Sequence, residues 1–198
     1  MNMTMPPRTA DAVLRMILAP QDFQTVSGDL LEEYRERILP ARGKYRADLW
    51  YVGQVAGFAW RANKTWAGVL GGAVVARTAL DWLVPTADFN ARSTISTAVS
   101  AGIFVSAGFW AALRNSSFRA GTLAGVATAL MAAVISILGA TLLLAIWHDP
   151  PTLAAIEASG GLSETYTLPI LLVVPGALLS TLGGLLSRYH NFHYKGVR

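Results

Sequence analysis

AGTLAGVATALMAAVISILGATLLLAIW, residues 120–147, holds no charged side chain, and that decides which solvent this chain is built for. A hydrocarbon core about 30 Å thick is crossed by roughly 20 helical residues, so the run spans a bilayer with residues to spare. Further apolar stretches lie on either side of it, at 66–84, 93–113 and 168–186. Only 14% of the residues are charged, where a soluble domain averages about 25%. The expectation is an all-α integral membrane protein. Residues 1–64 form a small amphipathic helical head, 65–187 a bundle of four transmembrane helices, and 188–198 a short tail.

Charge sets the orientation. The link between the second and third spans carries Arg114 and Arg119, and the tail carries Arg188, Lys195 and Arg198. The connection 148–167 has no Lys or Arg, only Asp149, Glu157 and Glu164, and 85–92 is balanced by Asp88 against Arg92. Positive loops stay in the cytoplasm, so both termini are expected there. Nine of the sixteen basic residues lie before Thr65, but Asp11, Asp22, Asp29, Glu32, Glu33, Glu36 and Asp48 are interleaved with them. Membrane topology accounts for the excess, and no nucleic-acid partner is expected. Residues 1–20 are interrupted by Arg8, Asp11 and Arg15 and do not read as a secretory signal, so the first span is expected to do the targeting.

Small residues recur every four positions in each span and line one helix face. They are Gly68, Gly72 and Ala76 in the first span, and Thr94, Ala98, Gly102 and Ser106 in the second. The third has Gly121, Gly125, Ala129 and Ala133, and the fourth Gly176, Ser180 and Gly184. Such faces let backbones approach closely in lipid, and they serve either the bundle itself or a partner protein. Pro175-Gly176 is expected to kink the fourth span.

The head reads as helices. Val13, Leu14, Ile17 and Leu18 share one side before Pro20, and Phe23, Val26, Leu30, Leu31, Tyr34 and Ile38 follow the 3.6-residue period. Residues 40–43, with Pro40 and Gly43, should stop that helix. A third helix, 45–60, carries Trp50, Tyr51 and Trp60 beside Arg46 and Arg61. It suits a position at headgroup level before the chain turns into the first span. Trp66 and Trp147 read as further interfacial anchors. So small a head is expected to lean on the membrane surface or on a partner.

The run Gly28-Asp29-Leu30-Leu31-Glu32-Glu33-Tyr34-Arg35-Glu36-Arg37, followed by Leu49-Trp50-Tyr51-Val52-Gly53-Gln54-Val55, resembles the permease prefix domain. That domain precedes the membrane part of ABC-type permeases of acidobacteria and related phyla. Pro6-Pro7 and residues 12–18 look like its opening helix, so the resemblance covers about residues 6–60. Val52-Gly53 departs from the family's usual Trp-Arg, and four spans follow where the family has a large permease domain. The resemblance implies a bacterial cytoplasmic (inner) membrane and a permease-like neighbour. It implies no catalytic residue.

Candidate chemistry is sparse. Arg77 and Asp81 lie one turn apart within the first span, as an intramembrane ion pair, a subunit contact or part of a proton path. His148, next to Asp149, is a weak candidate for a pigment or metal ligand, and His190 and His193 sit at i, i+3 in the tail. Zero cysteines exclude disulfides and thiolate sites. No Walker loop and no Ser-His-Asp set is present, and Gly71-Gly72 and Gly183-Gly184 lie within spans. The chain is therefore expected not to be an enzyme, and to need no cofactor or metal, with lipid or pigment as bound contacts. The leading expectation is an accessory subunit of a larger membrane complex, permease-like or electron-transfer/photosynthetic. The alternatives are a signalling protein whose head binds a soluble regulator, and a small transporter or channel.

Overall fold

The computed structural model describes residues 5–86 and 88–195, and their side chains except those of Phe89 and residues 190–195. The described residues are helical, without a strand. Three helices are long and apolar enough to cross a membrane: Asn90–Asn115, Phe118–Ile146 and Gly161–Tyr189. The expected first span, 66–84, is not among these, because Arg77 and Asp81 dilute its apolar run.

The head folds from three helices. α1 (Arg8–Ile17) buries Ala10, Leu14 and Ile17 on one face and ends where Leu18 and Ala19 turn extended. The residue before a proline is pushed out of helical geometry, and Pro20 then opens α2 (Pro20–Glu33), where its missing N–H costs nothing. A π-helical stretch, Tyr34–Ile38, leads into α3 (Leu39–Leu83). The chain does break at 40–43, at Gly43, whose φ of 72° only glycine tolerates well.

Beyond Gly43, residues 44–83 run as one uninterrupted helix about 60 Å long. The turn expected after residue 60 is absent, because nothing between Lys44 and Leu83 caps or breaks the helix. The head also has a core of its own. Ala10, Leu14, Ile17, Leu30, Tyr34, Ile38, Ala47, Tyr51 and Val55 are all buried together, with Leu123 of the bundle packed against them.

α4 (Phe89–Asn115) and α5 (Phe118–Ile146) are joined by a tight corner at Ser116, which is left-handed. α5 lies centrally, against α3 on one side and against α4 and α8 (Val173–Lys195) on the other. The connection 148–167, expected as a loop, is largely helical. Asp149 caps α6 (Pro150–Ala158), accepting bonds from the Thr152 amide at 3.4 Å and hydroxyl at 2.8 Å. α7 (Gly161–Leu171) starts at two glycines of positive φ, its N-cap Gly160 and its first residue Gly161. Ile156 of α6 covers Trp82 and Ala140. Where a kink was expected at Pro175-Gly176, the helix is interrupted for one residue at Leu172, between α7 and α8. Pro175 has no N–H to offer the carbonyl of Leu171, which frees the chain to turn there.

Candidate functional site: an ion cluster and two kinds of helix face

Arg77 and Asp81 do pair, with Nε 3.3 Å from Oδ2, and a third group joins them. Arg92 of α4 places Nη1 3.0 Å from the other Asp81 oxygen and donates to the Val84 carbonyl at 3.1–3.2 Å. Asp81 is 8% exposed, so its carboxylate is held between two guanidiniums with little water. Arg92 also caps the end of α3, where carbonyls lack helical partners. Sequence reading set Arg92 against Asp88. Asp88 instead caps α4, accepting from the Ala91 amide at 3.0 Å. The signal for Arg92 was the shortness of the 84–88 connection, which returns the start of α4 beside the end of α3.

The small-residue faces divide sharply. Gly121, Gly125, Gly176, Ser180 and Gly184 lie at the meeting of α4, α5 and α8. An added Cβ on Gly121 would come to 3.0 Å from the Gly108 and Ser180 carbonyl oxygens. Ser180 is fully buried and donates to the Phe104 carbonyl at 2.7 Å, and Thr122 and Thr181 join hydroxyls at 2.7 Å. Gly68, Gly72 and Gly102 meet nothing within 4 Å, and Ala98 and Ala76 are exposed, with Ser106 half-buried. Four more glycines make close contacts, two of them (Gly71 and Gly183) named in the sequence only as members of Gly-Gly pairs and two (Gly108 and Gly139) missed. Gly71 meets Ile135, Gly139 meets Val75, Gly108 meets the Ser180 backbone and Gly183 meets the Val105 carbonyl.

The aromatic residues also divide. Tyr51, expected as an interfacial anchor, is 1% exposed, stacked edge-on against Tyr34 with centroids 6.0 Å apart. Trp50 packs on the same core. Burial pushes the Tyr51 hydroxyl up to about 12, and Asp11, 3.4 Å away, adds to the rise. Tyr34 donates to Asp48 at 2.6 Å, and Lys44 bridges Asp48 and the Tyr34 oxygen. Trp60 and Trp147 are exposed, while Trp66 is half-buried against Leu70 and its neighbours.

His148 is exposed, and among the described residues no three His, Asp or Glu side chains gather as a metal site. The side chains of His190 and His193 lie outside the described residues, although the α8 backbone continues past them to Lys195. Ser136 and Thr141, the hydroxyls named in the third span, bond back to their own helix, to Ala132 at 2.7 Å and Ile137 at 2.8 Å. Comparison with protein-family models, curated proteins and solved structures finds no match to the chain.

Proposed function

We propose that the chain is a non-enzymatic accessory subunit that docks beside a larger complex in a bacterial inner membrane. In this reading the far half of α3 is a fourth span, and both termini face the cytoplasm. One observation carries the proposal: the small-residue faces of α3 and α4, Gly68/Gly72/Ala76 and Ala98/Gly102, are exposed. The equivalent faces of α5 and α8 are consumed inside the bundle. Close backbone approach at small residues is a main source of helix association in lipid, so faces left open are suited to a neighbour's helices.

The resemblance of the head to the permease prefix domain favours a permease-like neighbour over an electron-transfer or photosynthetic one. Asp81 already holds two arginines, which suits a structural or subunit-contact role better than a proton path. A second reading, a soluble regulator bound to the head, draws support from Tyr45, Leu49 and Val52, exposed on one face of α3. Native mass spectrometry of the protein, extracted gently from its own membranes, tests both. Fixed stoichiometry with membrane subunits is the expected result. Recovery alone refutes the accessory role, and recovery with a soluble protein only transfers the assignment to the second reading.

A further inference from the structure

Two clefts meet where the head rests on the bundle. One, a narrow cleft of about 30 Å³, is lined by Trp66, Trp110, Ala107 and Leu123. The other, of about 220 Å³ and open to the surface, is walled by Phe58, Arg61, Arg114 and Asp22. Ile17, Ala62 and Arg114 line both, so the two are one continuous furrow, apolar and aromatic at one end and charged at the other.

The charges in the furrow are not spent within the protein. Among the described residues, neither Arg61 nor Arg114 lies within ion-pair range of an acid. Arg61 rests 5.8 Å from the centre of the Phe58 ring. The furrow also contains an orphaned acceptor. Asn115 donates its amide nitrogen to the Met16 and Ile17 carbonyls at 3.0 and 3.3 Å, which fixes the amide's orientation. Its oxygen is left buried and without a partner. A ligand suited to this lining brings an anion for two guanidiniums, a hydrogen donor for Asp22 and an apolar body for two indoles.

We propose that the furrow binds one glycerophospholipid of the cytoplasmic leaflet. Its phosphate lies between Arg61 and Arg114, its ethanolamine or glycerol headgroup donates to Asp22, and an acyl chain leaves past Trp66 and Trp110. Arginine forks suit phosphate oxygens geometrically as well as electrostatically. Paired Trp side chains belong at the same membrane depth. The assignment rests on the membrane reading and not on the accessory role.

The test uses the full chain, delipidated in detergent and titrated in native mass spectrometry with phosphatidylethanolamine, phosphatidylglycerol and phosphatidylcholine, and separately with inorganic phosphate. One lipid is expected to bind ahead of the rest, as ethanolamine or glycerol lipid over choline lipid. Arg61→Gln/Arg114→Gln should weaken that first binding on the order of tenfold or more, the scale for lost charge-assisted hydrogen bonds. Arg61→Lys/Arg114→Lys keeps both charges and should weaken it by a smaller factor, so the outcome survives a Gln variant that does not fold. Unchanged lipid binding in either folded variant overturns the site. Inorganic phosphate that displaces the lipid at millimolar concentration assigns the furrow to a soluble phosphate compound and overturns the lipid. Extraction of the protein from membranes by alkaline carbonate would refute the membrane reading separately.

Discussion

Glycine-to-alanine substitution should have opposite consequences on the two kinds of helix face. At Gly183 an added methyl falls inside van der Waals contact with the Val105 carbonyl, and 2.9 Å from the Phe109 amide nitrogen. Both are backbone atoms, so no rotamer change can relieve the clash, and α8 must move away from α4. Overpacking of this kind costs about 1–3 kcal/mol. Separation also stretches the 2.7 Å bond from Ser180 to Phe104, worth about 0.5–1.5 kcal/mol. A loss of about 2–4 kcal/mol should lower the thermal midpoint in detergent by about 4–16 °C at this chain length. At Gly72, one residue from the buried Gly71, the new methyl meets nothing. Alanine there should be neutral or stabilising by up to about 1 kcal/mol, the difference in helix propensity. Fluorescence-detected size exclusion after heating, run on both variants, reads the contrast. Equal destabilisation at Gly72 and Gly183 would refute the division into inner and outer faces. Gly72→Ala should nonetheless weaken recovery of membrane partners, since an open small-residue face is what a partner would fill.

Arg92→Ala removes one of the two guanidiniums on Asp81 and uncaps the Val84 carbonyl; a loss of about 1–3 kcal/mol is expected in the same assay. Arg92→Lys should recover only part of it. Tyr51 has a raised folded pKa of about 12 against an ordinary 10, so its neutral form is the one the fold favours. Its contribution is complete below about pH 10 and lost as the pH climbs towards 12. Limited proteolysis of the head should accelerate across that window, and Tyr51→Phe should flatten the change. Because the chain has no cysteine, single cysteines report topology without background. In intact cells Ser163→Cys and Thr86→Cys should react with an impermeant maleimide while Ser117→Cys is protected, and the reverse pattern would invert the topology.

The long helices were readable because their signal is compositional: a run without charge such as 120–147 has few other structures available in lipid. The bend near Pro175 was readable too, since a proline acts on a carbonyl four residues earlier whatever surrounds it. Gly71 and Gly72 were not separable by sequence. Adjacent residues point about 100° apart, and only the placement of α5 decides which one is covered. Tyr34 was legible from the 3.6-residue period, whereas Tyr51 read as interfacial, because a ring with a polar tip suits both settings; Asp11 beside its hydroxyl accompanies the burial. The helix after Asp149 left a mark that went unused, an N-capping acid directly before two prolines. The furrow was invisible, because its parts come from α1, α2, α3, α4 and α5 and meet only through packing.

The unbroken helix from Lys44 to Leu83 makes the head and the bundle a single lever. Asn115 ties the end of α1 to the corner between α4 and α5, so the lever is closed by a strut on its far side. A tilt of about 10° in a helix half about 30 Å long moves its tip by roughly 5 Å, more than the strut's hydrogen bonds can stretch. Tilting of α3 by a neighbour in the membrane must therefore either carry the head along rigidly or release Asn115 and change the width of the furrow. On the proposed topology, load within the bilayer would reach the head through this amide and through the packing of Leu123 on the head core.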